Sequence, residues 1–545
     1  MKTTKLFFMA ALALTFAACS NDDNDLTTQQ PQKAEGITIT AQLAPKTSGA
    51  TTRAVEDKTT YIEAKWAVNE HIAILYTKDA TKYAADAEIT AVDGSGAATI
   101  TFTVVDGTPD DTPCTLVYPL SAAKDDHTGV KDAATLLAAQ DGTLNANLDV
   151  RVGAGTIKTS TPSLDVTTQP AAQFAIMKLT LANDAKNLCI MADNITIAGA
   201  TLGTEGKVFT VAVPAVSSKP VTIVANDESN NCYYYSKTGV TIAAGKYYQS
   251  SPTMTALDDD NSKPLYKITA TSSVTIPAGK TVVLSGVTIS GDQIACSGDA
   301  TIILMGSNSV SAADNTAAIK IGDSGTTLTI TGSGSLTATG GKKGAGIGTG
   351  YANDASVAGG NIEINGGTIY ATGGMSSAAI GTGYAYTDGS RSNTCGTITI
   401  NGGSVTATGG DAAAGIGTAS ANGSSNECGA ITINGGTVTA TGGLRSAAIG
   451  TGSTNNNGSN TCGTITISTG VTSVTATMGK DSPNIIGKGY VKDGCTQTCG
   501  TVTFGATQVF DGSAWSTDPM AAGTYGGLNL AITNSNKTWT LTPAP

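Results

Sequence analysis

Charge is scarce in this 545-residue chain: Asp, Glu, Lys and Arg make up 13% of it, where an average soluble domain carries about 25%. Aromatics stand at 5%, and histidine occurs twice, as His71 and His127. Proton-transfer chemistry draws on His or on clustered carboxylates held close to a nucleophile or substrate. Here both histidines lie in the N-terminal half, and Glu363, Asp388, Asp411 and Glu427 are scattered among turns and loops. Arg391 and Arg445 occupy different parts of the repeated unit, and no nucleophile–base pair is visible. No catalytic residue, cofactor or metal site is expected. The net charge is −11, whereas a nucleic-acid partner would want a basic face. Beyond the N-terminus, no apolar run approaches the roughly 20 residues needed to span a bilayer. What the chain has instead is glycine, 66 residues of it, with Thr, Ser and Asn supplying the polarity. That composition suits short strands and many turns.

The N-terminus reads as an address. Lys2 and Lys5 precede an apolar stretch from Leu6 to Ala18, which ends Phe16-Ala17-Ala18-Cys19. A short positive region, an apolar core and small residues before a cut describe a secretory signal. The Cys directly after the small pair resembles a bacterial lipobox, in which that thiol is lipidated. Ser20-Asn21-Asp22-Asp23-Asn24-Asp25 resembles the acidic tag of Bacteroidetes surface lipoproteins. Residues 1–19 are therefore read as a lipoprotein signal with Cys19 as the lipid site, and 20–35 as a flexible tether. The expected location is the outer membrane, exposed at the cell surface.

From Ile37 to Met254 the chain is non-repetitive and β-rich, with alternating runs such as Ala98-Thr99-Ile100-Thr101-Phe102. Its landmarks come in order: Thr51-Thr52-Arg53-Ala54, then Trp66-Ala67-Val68-Asn69-Glu70-His71-Ile72, then Val117-Tyr118-Pro119. Phe174-Ala175-Ile176-Met177 and Ala244-Gly245-Lys246-Tyr247-Tyr248 follow. This series resembles the fimbrillins, the surface pilins of Bacteroidales, although that family usually has Gly-Asp where Asn69-Glu70 stands here. The resemblance implies two β-sandwich subdomains, placed at 36–165 and 166–256, with Trp66 in a core. It also implies that Arg53 is a candidate cleavage point for an Arg-specific protease. After cleavage, such subunits pair by exchanging a strand at an open sheet edge. The alternative is an uncut lipoprotein in which Arg53 is a solvated loop residue. Residues 257–264, from Leu257 to Pro264, read as a linker.

The second half repeats. INGGTIYATGGMSSAAIGTG starts at Ile364, INGGSVTATGGDAAAGIGTA at Ile400 and INGGTVTATGGLRSAAIGTG at Ile433. The motif Ile recurs at Ile347, Ile380, Ile416, Ile449 and Ile486, at steps of roughly 33 to 37 residues, in the range of stacked repeats. Each unit offers three short strands, ITI, VTAT and AAIG, separated by Gly pairs and closed by a variable Asn/Ser/Gly loop. Alternation places the aliphatics inward and Thr outward. That makes one turn of a parallel β-helix, expected over 265–508, with a C-terminal cap at 509–545 carrying Trp515 and Trp539. Stacking predicts an aliphatic ladder of Leu336, Ile369, Val405, Val438 and Val474, and an Asn ladder of Asn365, Asn401 and Asn434. This half resembles the right-handed β-helix carbohydrate-binding modules of bacterial surface proteins.

Two further ladders bear on function. Cys395, Cys428, Cys462 and Cys499 each precede a Gly and the first strand of a turn. They are expected to stack, either as reduced thiols or as a disulfide ladder between adjacent turns. Tyr351, Tyr384 and Tyr490 each follow the motif Ile at the same offset, with Tyr386 close by and Ser420 and Ser453 in the other turns. Aromatics among small polar residues suit sugar rings, whose C–H face packs on an aromatic; the plainer reading is that these Tyr cover loop bases. A regular Thr array, such as Thr406-Ala407-Thr408, is likewise what any solvated strand face favours. The reading is a non-enzymatic surface adhesin or minor fimbrial subunit. Its partners would be a host or dietary glycan, other fimbrial subunits, and the outer membrane through its lipid. A structural spacer without a ligand is the main alternative, and a polysaccharide lyase the third.

Overall fold

The computed structural model describes residues 36–544, apart from 45–55, 59–60, 64–65, 125–126, 132, 138–139, 145–147, 353–354, 387–390, 516–519 and 536. Cys19, Arg53 and the 20–35 tether lie outside the described residues. The fold is all-β, an antiparallel half followed by a parallel β-helix.

Alternating sequences build the first sheet. Strand β1 (Gly36–Leu43) buries Ile39, Ala41 and Leu43 and exposes the residues between them. A small hairpin of β2 (Glu56–Lys58) and β3 (Tyr61–Glu63) follows. Then come β4 (His71–Lys78), β5 (Thr81–Val92), β6 (Ala98–Val105), β7 (Thr112–Tyr118), β8 (Arg151–Lys158) and β9 (Ser163–Ala172). The order is β1-β6-β5-β4-β7-β8-β9, antiparallel throughout. The sheet curls until its two ends meet, where Ala44 N donates to Gln169 Oε1 of β9 at 3.2 Å. Central β4 is buried on both sides: Ile72 and Ile74 face the core of this sheet, while Ala73 and Leu75 face a second core shared with Phe174 and Ile176. Trp66 sits inside the first core, edge-on to Tyr118 with ring centroids 5.4 Å apart.

One expected boundary moves. The turn at 159–162 joins β8 to β9 as a hairpin, and their pairing runs to Ala172, so the first unit extends past residue 165. Pro170 does not interrupt it, because it falls in the register break between the Val152–Ala171 and Ala154–Thr168 pairs, a position where Pro is tolerated. The second unit is one folded sheet: β10 (Ala175–Ala192), β11 (Ile195–Val213), β12 (Val216–Asn226), β13 (Cys232–Ile242), β14 (Tyr247–Ser250) and β15 (Thr255–Ala256). Register breaks between Thr180 and Asn187 bend the long β10–β11 pair. Leu179 and Phe209 from one arm thereby share a core with Leu188, Ile190 and Ile223 from the other.

The β-helix follows directly, and the two halves are docked. Cys189, Met191, Val224 and Cys232 of the second unit pack with Leu257 against Val283, Ile303 and Met305 of the first solenoid turns. Thr196 Oγ1 accepts from Gly332 N at 2.8 Å, Ser333 Oγ donates to the Leu188 carbonyl at 3.3 Å, and Asn226 Nδ2 donates to Ser285 Oγ at 3.0 Å. The expected linker at 257–264 is thus pinned rather than free. Leu257 is buried in that contact, and Lys263 pairs with Asp258.

In the solenoid, equal positions of successive turns pair in parallel register: Ile398 with Ile431, Val405 with Val438, Ile416 with Ile449, Cys428 with Cys462. The Leu336–Ile369–Val405–Val438–Val474 file is fully in register and buried. The file of motif isoleucines extends back through Ile319 and Ile294 to Val274. The Gly after each motif Ile has a structural reason. Gly381, Gly417 and Gly450 hold φ near +130°, and a Cβ on Gly381 or Gly417 would strike the carbonyl of the equivalent Gly one turn on.

The turn is richer than three strands, because the variable loop also stacks. Ser392–Cys395, Ser425–Cys428, Ser459–Cys462 and Thr496–Cys499 form one further parallel sheet, and Ala385–Tyr386, Ala421–Asn422 and Thr454–Asn455 another. The last parallel strand is Val502–Phe504. Beyond it, antiparallel strands cover the open end, with Trp539 edge-on to both Phe504 and Trp515.

Candidate functional site

The tyrosines stand where the chain leaves each motif strand. One backbone bond recurs in every turn and sets this rim: the N–H of the position four after the motif Ile donates to a corner carbonyl of the preceding turn. Tyr384 N bonds to Lys343 O, Ser420 N to Ser376 O, Ser453 N to Ala412 O and Tyr490 N to Arg445 O, all between 2.8 and 3.1 Å. Ala352 and Ala385 pair in parallel, so Tyr351 and Tyr384 occupy the same place one turn apart. Their rings are 5.9 Å apart and within 6° of parallel. Tyr386 joins them, 6.1 Å from Tyr384 with 25° between the planes. Such separations mark offset stacking.

The file has two different ends. At one, the Lys343 ammonium lies 4.0 Å from the Tyr351 ring centroid, in cation–π contact. At the other, Tyr386 is 49% exposed, so its ring offers the open platform. Tyr384 in the middle is partly buried; burial pushes its phenol pKa up, and its hydroxyl bonds to the Asn422 side chain. The hydroxyl therefore stays protonated at neutral pH, able to donate as well as accept.

Tyr490 does not belong to this group. Ser420 and Ser453, both buried, fill the two turns between, and no aromatic bridges the gap. Tyr490 instead carries the Arg445 guanidinium over its ring at 4.9 Å. The expected rim of four is thus a cluster of three with a separate fourth.

The cysteine ladder lies inside the solenoid. Cys395, Cys428, Cys462 and Cys499 are paired in register, buried and free, one above the next on successive turns. Cys428 and Cys499 are held above the ordinary thiol range by bonding to neighbouring thiols, Cys462 between them, and by burial. Among the described residues, no group of three or more His, Cys, Asp or Glu could hold a metal ion.

Beside the thiols runs a buried amide ladder that sequence reasoning missed. Asn393, Asn426, Asn460 and Gln497 each lie two residues before a ladder Cys, and all are buried. Asn393 Nδ2 donates to the carbonyls of Gly350 and Gly383, and Asn460 Nδ2 to those of Gly452 and Ser453, at 2.8 to 3.2 Å. Gln497 Nε2 reaches Gly452 O and Tyr490 O. These amides satisfy the carbonyls at the base of the rim, where the chain turns away from the sheet. The repeated Asn-x-Cys-Gly spacing was the available signal. The corner ladder that was expected is present: Asn401 Nδ2 donates to Asn365 Oδ1 at 2.8 Å, and Asn434 Nδ2 to Asn401 Oδ1 at 2.9 Å.

Four segments, 328–351, 362–384, 398–420 and 431–453, match the beta helix repeat family. They span the turns that carry Tyr351 and Tyr384. No curated protein is significantly similar to this chain. Among solved structures, a candidate cell adhesion protein from Bacteroides uniformis aligns at 14% identity with a TM-score of 0.26, covering 41% of this chain and 98% of its own. A fimbrial assembly protein from Parabacteroides distasonis aligns at 13% identity and TM-score 0.23, over 41% of this chain and 98% of its own. A fimbrial protein from Bacteroides ovatus aligns at 10% and 0.23, over 41% and 49%.

Proposed function

We propose that the chain is a non-enzymatic surface adhesin, anchored through Cys19, whose β-helix presents a tyrosine rim to carbohydrate. The observation that carries this is the Tyr351–Tyr384–Tyr386 file. Three near-parallel rings are held on the edge of a rigid solenoid, with Tyr386 open and the Tyr384 hydroxyl and Asn422 amide beside it. Stacking on an aromatic adds about 0.5–1.5 kcal/mol beyond area burial. Tyr386→Ala in the full chain is expected to weaken a bound glycan several-fold on a glycan array and in titration calorimetry, leaving the circular dichroism unchanged. Full affinity in that variant would move the site off the rim.

A fimbrial subunit is the second reading, and one feature favours it. Strand β1 precedes Arg53 and lies at the end of its sheet, where among the described residues it pairs with β6 and meets β9 through the bond from Ala44 N to Gln169 Oε1. Cleavage after Arg53 would leave β1 held by that pairing and by buried Ile39, Ala41 and Leu43. Its departure would open an apolar slot that a strand from another subunit could fill. Arg53→Ala abolishing proteolytic maturation and polymer formation would support this reading. Polymers formed by the uncut variant would remove it.

A further inference from the structure

Four thiols share one file inside the solenoid. Cys395, Cys428, Cys462 and Cys499 each end a strand of the same parallel sheet, pair in register with the next, and are at most 5% exposed. Their side chains touch: the Cys462 thiol bonds to those of Cys428 and Cys499, and Cys428 bonds also to Cys395. The other buried cysteines have no such neighbour across their strands. Cys114, Cys189, Cys232 and Cys296 stand opposite Gly155, Val224, Asn226 and Ile276. The file also has definite ends. One turn before Cys395 the position belongs to Gly359, where a Cβ would come within 2.6 Å of Ile321 and Thr349. Beyond Cys499 the parallel stack stops at Val502–Phe504. The file is even in number, so every thiol in it has a partner.

We infer that in the exported chain two disulfides, Cys395–Cys428 and Cys462–Cys499, join neighbouring turns. In-register residues on adjacent turns lie about 4.8 Å apart at Cα, inside the roughly 4.4–6.8 Å that a disulfide spans. Their Cβ atoms start at the same spacing and must close to about 4.5 Å or less. Each Cys is the last residue of its strand and precedes a Gly, so the tilt falls where the pairing ends. The middle bond, Cys428–Cys462, would leave Cys395 and Cys499 without a free neighbour, whereas the outer two use all four thiols. The aliphatic files of the same turns fill their space with Ile, Val and Ala; this one carries a group that can be cross-linked. The oxidant is the disulfide of a carrier protein in the exporting compartment, met before the turns stack, because buried thiols are inert once folded. One thiolate attacks a carrier sulfur to form a mixed disulfide, and its partner thiolate then attacks that bond. The turn-to-turn S–S bond forms, and the carrier leaves as its dithiol with two electrons and, through water, the two thiol protons. The inference rests on the proposed surface location for that oxidant alone.

The test refolds the full chain from denaturant in a couple of oxidised and reduced glutathione, and separately takes the chain from cells that export it. Free thiols are alkylated in denaturant before digestion at basic and acidic residues; Asp411 separates the first pair and Lys480 the second. Mass spectrometry is expected to find Cys395 joined to Cys428 and Cys462 to Cys499, with Cys114, Cys189, Cys232 and Cys296 alkylated. The oxidised chain should melt about 10 °C above the same chain refolded in a thiol reductant. Cys428→Ala with Cys499→Ala leaves Cys395 and Cys462 two turns apart. Both should then be alkylated, and the difference between the two refolding conditions should vanish. Four free thiols in the refolded wild type overturn the inference, as does a Cys428–Cys462 bond there or a Cys395–Cys462 bond in the double variant. Bonds in the refolded chain but none in the exported one leave the paired file standing and remove the proposed surface location.

Discussion

The antiparallel half and the solenoid solve the same problem by opposite means. In the first sheet, strands distant in sequence meet around a core of unlike pieces, with Trp66 on Tyr118 and β4 buried on both sides. In the solenoid, each residue meets its own copy one turn away. A single core runs from Tyr266 to Leu541 and holds no aromatic between Tyr266 and Phe504; Phe510 and Trp539 join it from the cap. A jigsaw core spreads specificity over shape, whereas a repeated core concentrates it in register. The lesson lies in how each fails. A poor fit in the first half is a local defect, but a wrong residue in the second disturbs a file that every neighbouring turn shares.

The sharpest way to break the comparison is Val438→Asp. Its carboxylate would sit between Val405 and Val474 in a file with no polar partner, at a cost of at least several kcal/mol. Cooperative melting of the solenoid is expected to be lost or strongly lowered. Fluorescence should report it from Trp515 and Trp539 in the cap, while Trp66 keeps its buried signal. Thr439→Asp, one residue on and facing outward, should shift the melting temperature far less. Equal losses would refute the assigned strand phase.

Asn460→Leu should come next. It removes the bonds that Asn460 Nδ2 gives to the Gly452 and Ser453 carbonyls, which keep those from Gln497 Nε2 and Ala421 N, and a lost hydrogen bond costs about 0.5–1.5 kcal/mol. Hydrogen exchange should show the loss concentrated in the turns flanking residue 460. Uniform protection across the solenoid would mean that the amide ladder is dispensable.

The smallest effect belongs to the antiparallel half. Asp110 accepts bonds from the Ser160 hydroxyl and from Thr159 N and Ser160 N, and these hold its pKa at about 2, below the ordinary 3.8. A carboxylate with a depressed folded pKa contributes stability above its unfolded value and loses it as pH falls through the folded one. The contribution should therefore be intact above about pH 4 and fade towards about pH 2. Asp110→Asn should flatten that acid-side slope in thermal melts; an unchanged slope would show that the contact is not formed in solution.

Legibility followed the same divide. The period, the strand phase, the aliphatic file and the Asn365–Asn401–Asn434 corner could be read directly, because a ladder writes itself as a repeat. The buried Asn393, Asn426, Asn460 and Gln497 could not, since Asn among Ser and Gly reads as turn chemistry and its burial depends on the loop stacking as strands. Tyr490 matched the rim by offset alone, which carries no information about the two serine turns that isolate it. In the antiparallel half, a turn signal at 159–162 does not distinguish a hairpin from a domain boundary. Only the pairing of β9 with β8 decides that.

The position of the docking contact has a consequence for how such a chain can change over time. The antiparallel half grips the first solenoid turns, around Val283, Ile303, Met305 and Gly332, and the cap closes the last. The near-identical units lie between them, the first meeting the antiparallel half where Thr196 lies against Gly366. Unequal recombination between those copies could add or delete one whole unit and leave both fastenings untouched, moving the far end by about 4.8 Å for each turn. The length of the solenoid would then be heritable, set by copy number alone.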